Sequence, residues 1–85
     1  MGVDASQQAT NVFHRASTLH QQGRLQEART AYEHVLRLQP QNAPALNMLG
    51  VIALQMNDAK AAISRFEEST ASDPSNAMEI GRAHV

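Results

Sequence analysis

The side chains of this 85-residue sequence that could do chemistry are four histidines and eight carboxylates, with no cysteine among them. His14, His20 and His34 lack the i, i+4 spacing that puts two imidazoles on one helix face, and no carboxylate accompanies them at ligand spacing. No metal is expected, and these imidazoles read as ordinary polar-face or interhelix residues. His84 lies in the tail. Glu67-Glu68 and Asp73 come nearest to paired carboxylates, but acid–base work needs a pocket around the pair and the flanking residues build none. A solvated face and a turn account for them. No glycine-rich phosphate loop occurs, so neither a cofactor nor a catalytic residue is expected. The missing cysteine removes disulfides, thiolate metal sites and thiol nucleophiles together, which fits a cytoplasmic location.

Charge narrows the partners further. Seven Lys and Arg against eight Asp and Glu give a net charge of -1, which makes no basic field for nucleic acid and no acidic tail. The chain opens without a basic start or a long apolar run, so no export signal is expected. Its most apolar stretch, Ala43 to Met56, is interrupted by Pro44, Asn47, Gly50 and Gln55 and is too short for a membrane span. A protein or peptide partner is left, with no nucleic acid and no membrane.

The elements that would present such a surface show through an internal repeat. Ala28 recurs as Ala62, Tyr32 as Phe66, Pro40 as Pro74 and Asn42 as Asn76, each pair at the same separation. That period, about 34 residues, points to stacked helical hairpins, an all-α solenoid of two copies plus the stub of a third. A first helix is expected from about Ser6 to Gln22, with Val12, Ala16 and Leu19 on its apolar side. Gly23 then supplies a left-handed helix end. A second helix, about Leu25 to Leu38, groups Leu25, Ala28, Tyr32, Val35 and Leu36, and Pro40 ends it. Asn42 is placed to cap a third helix running to about Met56, with Pro44 in its first turn and Leu46, Leu49, Gly50 and Ala53 as its stripe. Gly50 inside that helix costs roughly 1 kcal/mol relative to Ala, which close helix packing would offset. Asn57 stands in the place of Gly23, and Asp58 caps a fourth helix, about Ala59 to Ser72, that points Ala62, Ile63 and Phe66 inward. Met48, Met56 and Met78 read as core filler.

The spacing of small residues and prolines resembles the tetratricopeptide repeat family over about residues 9 to 76. The second copy, with Leu46, Leu49, Gly50, Ala53, Ala62, Phe66 and Pro74, follows that pattern closely; Ser69 stands where a small apolar residue is commoner. The first copy keeps Ala16, Leu19, Ala28, Tyr32 and Pro40 but has Arg15 where Leu is usual and Val12 where an aromatic is frequent. The resemblance implies a protein–protein interaction module whose concave groove is lined by the first helix of each repeat. It assigns Thr10, Phe13, Ser17, His20 and Gln21 to that groove from one copy, and Pro44, Asn47, Val51, Leu54 and Gln55 from the other. Phe13, Val51 and Leu54 would grip apolar side chains of a peptide, while Asn47 and Gln55 would bond its backbone. Val51 and Leu54 have a second reading, as packing residues for a further repeat. The basic clamp of chaperone-binding members is missing, because Phe13, Ser17 and Met48 hold its places. The wording Ala45 to Ala53 is similar to the amino-terminal arrays of bacterial enzymes, among them glycosyltransferases like O-linked N-acetylglucosamine transferase and repeat-linked sulfotransferases. That likeness implies an alternative, a substrate-recognition arm of a larger enzyme.

The expected organisation is a lead-in over residues 1–8, repeats over 9–42 and 43–76, and a truncated third repeat over 77–85. Within the last, residues 79–85 resemble a translated sequencing adapter, so the chain reads as a fragment of a longer protein. Each repeat buries its apolar face against its neighbours, and about three repeats are usually needed for stability. Self-association through the uncapped last hairpin is therefore expected.

Overall fold

A computed structural model describes residues 4–72, which form four helices: α1 (Ala5–Gln21), α2 (Leu25–Leu38), α3 (Ala43–Gln55) and α4 (Ala59–Ser72). The expectations placed on Asp73, Pro74, Asn76, Met78, His84 and the segment 77–85 lie outside the described residues. Helix α1 packs along α2, α3 along α4, and α2 joins the two hairpins by packing on α3. No strand occurs among the described residues, so the arrangement is all-α.

The helix ends follow from local chemistry. Asp4 begins α1 by accepting the Gln7 amide on its carboxylate at 2.8 Å, one residue earlier than the periodicity indicates. At the other end Gly23 takes φ 77°, the Gly23 amide donates to the His20 carbonyl and the Arg24 amide to that of Leu19, each at 3.0 Å. This doubly bonded left-handed cap satisfies carbonyls the helix leaves unpaired. It returns in the second hairpin: Asn57 takes φ 63°, its amide donates to Leu54 at 3.0 Å, and the Asp58 amide donates to Ala53 at 2.8 Å. Pro40 sits inside a turn closed by the Asn42 amide on the Gln39 carbonyl at 3.0 Å. Asn42 then accepts the Ala45 amide at 2.9 Å and starts α3, with Pro44 in the first turn where its missing N–H leaves nothing unpaired.

The core is small residues facing large ones. Ala9, Ala16 and Ala28 let α1 and α2 approach around Tyr32 and Val35, and Ala45, Leu49 and Ile52 continue the cluster from α3. Tyr32, Leu46, Ile52 and Val35 are the largest fully buried side chains, and the three aliphatic ones each contribute roughly 1.5–3 kcal/mol by leaving water. Helix α3 is buried more widely than its stripe indicates, since Ala45 and Ile52 join Leu46, Leu49, Gly50 and Ala53 inside. It is held between α2 on one side and α4 on the other, so more than one face is covered.

Two positions in α4 need comment. Ala62 is buried and Phe66 half-buried, as an inward face requires. Ile63, however, is 59% exposed, so its expected inward placement is corrected. Its counterpart in α2 is the exposed Arg29, which shows that this position belongs to the flank of the hairpin and not to its interior. Ser69, the unexpected polar residue, is buried and donates its hydroxyl to the Ala43 carbonyl at 3.1 Å, tying the end of α4 to the start of α3.

Candidate functional site

The residues assigned to a groove come from one face of α1 and one face of α3. In α3 Pro44, Asn47, Val51 and Leu54 follow three- and four-residue steps, with Gln55 four residues beyond Val51, and so make a continuous stripe on the helix. Pro44, Asn47 and Gln55 are exposed, Val51 is half-buried, and Leu54 shows 52% of its surface. This stripe lies opposite the buried Ala45, Leu49 and Ile52, so core formation leaves it free.

The α1 side is more mixed. Thr10 and Gln21 are exposed, whereas Phe13, Ser17 and His20 are half-buried. The Thr10 hydroxyl donates back to the Ser6 carbonyl at 3.1 Å, a bond within its own helix that any partner would have to share or replace. Phe13 is packed against the core, its ring 5.2 Å from that of Tyr32 at an interplanar angle of 75°. Such an edge-on pair is a favoured aromatic arrangement, and it holds Phe13 in place while leaving only part of the ring for a ligand.

One bond brings the two sets together. His20 Nε2 lies 2.6 Å from Gln55 Oε1, linking the carboxyl-terminal ends of α1 and α3. A carbonyl oxygen only accepts, so the imidazole must donate there. Together His20, Gln55 and the adjoining Leu54 and Gln21 form a patch with polar groups beside an exposed leucine. Thr10 and Asn47 lie toward the opposite ends of their helices, so the assigned residues form two stripes joined at one end.

Beneath this face, Tyr32 is fully buried and its phenol oxygen has no hydrogen-bond partner. Burial pushes the phenol pKa up; the Ser17 side chain pulls it the other way without completing a hydrogen bond. Among the described residues no three histidine or carboxylate side chains gather at metal-binding separation. No described helix is long and apolar enough to cross a membrane.

A recess on the opposite flank was not singled out by the sequence. It lies along α1 and α2 and is lined by Arg15, Leu19, Glu27, Ala31, His34 and Arg37. The available signal was Arg15, which departs from the leucine usual at its place and so marks a flank that meets water.

No curated protein is similar enough to this sequence to count as a relative. The tetratricopeptide repeat family model matches residues 6–75, which take in α1 from its second residue and all of α2, α3 and α4. With the two hairpins, their shared left-handed caps and the small-against-large packing all repeated at one interval, the chain belongs to the tetratricopeptide repeat family.

Proposed function

We propose that this protein–protein interaction module binds a peptide or partner helix across the α1 and α3 faces, with residues 9–42 and 43–76 each supplying one unit of the groove. The observation that carries the reading is the α3 stripe: Leu54 is 52% exposed on a helix whose other apolar residues are largely buried. An apolar side chain of the ligand would sit on Leu54 and Val51, and its backbone would bond Asn47 and Gln55. His20 would contribute by holding Gln55 in place. The arrangement favours a neutral or mixed ligand, because none of the α3 stripe residues is charged.

The test is amide chemical-shift mapping of the 85-residue chain against a library of short peptides. Shifts should cluster on the exposed faces of α1 and α3, and Leu54→Glu should weaken binding about tenfold or more, the loss expected for burying an unpaired charge. Shifts confined to α2 and α4, or unchanged affinity in the Leu54 variant, would remove the reading. The alternative, a recognition arm of a larger glycosyltransferase or sulfotransferase, uses the same groove and is decided by whether the gene's reading frame also encodes a nucleotide-sugar or sulfate-donor site.

A further inference from the structure

The seam between the two hairpins shows what each flank of a hairpin is shaped to meet. There, Arg29 and Glu33 of α2 face a surface built by Leu49 and Ala53 of α3 with Ala61 and Arg65 of α4. Moving the α2 side forward by one repeat turns Arg29 into Ile63 and Glu33 into Glu67. Both line an open, largely apolar surface on α4, beside Phe66 and Ala71. Moving the facing side back by one repeat turns Leu49 into Arg15, Ala53 into Leu19, Ala61 into Glu27 and Arg65 into Ala31. All four of these line the recess along α1 and α2. The two outer flanks of the stack are thus the two halves of the seam already formed between its hairpins.

We propose that a second copy of this chain docks head to tail, seating the α4 flank of one copy in the α1–α2 recess of the next. The substitutions between the halves suit that pairing. Ile63, 59% exposed where hairpin one has Arg29, meets Leu19 and Ala31, and removing it from water supplies the apolar contribution. Glu67 and Arg15 take the places of Glu33 and Leu49, which line the internal seam from its two sides. The charges agree beyond that pair: Glu67 lines the α4 flank with no cation beside it, while the recess carries Arg15, Arg29 and Arg37 against the single carboxylate of Glu27. Because the two surfaces differ, the contact is heterologous and leaves a free flank at each end, so assembly continues past the dimer as concentration rises. This inference does not depend on the peptide reading, since it uses the flanks of the hairpins and not the groove face.

Sedimentation equilibrium of the 85-residue chain from micromolar to millimolar concentration tests it. The average mass should rise beyond two copies and fall as salt screens the charges. Ile63→Asp, Glu67→Arg and Arg15→Glu should each weaken association about tenfold or more, as unfavourable contacts across an interface do. All three positions are exposed, so circular dichroism should show the helices intact. Mixing the Glu67→Arg chain with the Arg15→Glu chain should restore association, because each junction between the two variants again pairs opposite charges. A chain that stays monomeric throughout, whether its α4 flank is open or covered by its own residues 73–85, would overturn the proposal. So would a mass that stops at two copies, or a mixture that fails to recover.

Discussion

The two hairpins run the same plan with different materials. Hairpin one turns through Gly23 and Arg24, and no side chain caps α2; hairpin two turns through Asn57 and Asp58, and Asp58 accepts the Ala61 amide at 3.1 Å. Glycine enters the left-handed region freely, so the first turn is strong where the second must tolerate a side chain, while the second holds a helix cap the first lacks. In place of a cap Arg24 pairs with Glu27 at 2.8 Å, but both side chains are more than half exposed and such pairs contribute little. Inside, Ala16 shares the core cluster with the fully buried Tyr32 in the first hairpin, whereas Gly50 lies against the half-buried Phe66 in the second. A methyl group at Gly50 would stand 2.6 Å from the Phe66 ring. The lesson is that a shared backbone geometry is reached by exchanging where the small residue, the cap and the aromatic sit, provided each pair stays matched.

Breaking the aromatic pair should separate the hairpins most. Tyr32→Ala is expected to lower stability by about 3–5 kcal/mol, the range for emptying a buried aromatic site, and Phe66→Ala by roughly half of that because its ring is partly in water already. Urea melts of both variants measure the gap, and equal losses would mean that the two rings are equally buried in solution.

Gly50→Ala is expected to cost about 1–3 kcal/mol from overpacking, with about 1 kcal/mol regained through helix propensity. The matching change, Ala16→Gly, should cost about 1 kcal/mol or somewhat more as the cavity term adds. A Gly50→Ala chain more stable than the parent would show that the Phe66 ring moves aside without penalty.

The turns offer a smaller contrast. Asp58→Ala should cost about 1 kcal/mol, and Arg24→Ser should gain several tenths by giving α2 the cap it lacks. Thermal melts of the two variants should move in opposite directions.

Tyr32→Phe sharpens the comparison with the least perturbation, since it gives hairpin one the ring that hairpin two uses. The phenol oxygen has no hydrogen-bond partner, so its removal should leave stability unchanged or raise it by about 1 kcal/mol. The pH dependence has a definite sign. Burial raises the folded pKa above the unfolded one, so this group's contribution is intact below the ordinary phenol value of 10.0 and is lost as pH rises through the folded pKa. The alkaline loss attributable to this residue should disappear in the Phe variant. A clear drop in stability at neutral pH would instead reveal a hydrogen bond from the phenol to Ser17.

How much was readable in advance depended on the range of the forces involved. The left-handed residues Gly23 and Asn57, the caps at Asn42 and Asp58 and the turn at Pro40 are settled by atoms within a few residues, and the helix ends fell within about one residue of expectation, inside the usual scatter of boundary assignment. Ile63 was misplaced because helical spacing identifies a stripe without telling which flank is covered, and at the edge of α4 that depends on what stands beside the hairpin. The groove set was readable as a list of positions, but the list could not show that Phe13 is partly engaged with Tyr32 or that His20 bonds Gln55 across helices.

By itself the amino-acid sequence determined the repeat period, the all-helical class, the turn chemistry and the small-against-large pairs, because each is a relation between residues that the chain holds at fixed distance. Only the tertiary structure decided that α3 is covered on more than one side, that Ser69 tethers α4 to the Ala43 carbonyl, and that Leu54 and Ile63 remain outside. Those outcomes follow from which helix comes to lie against which, and burial is a property of that arrangement, not of spacing along the chain.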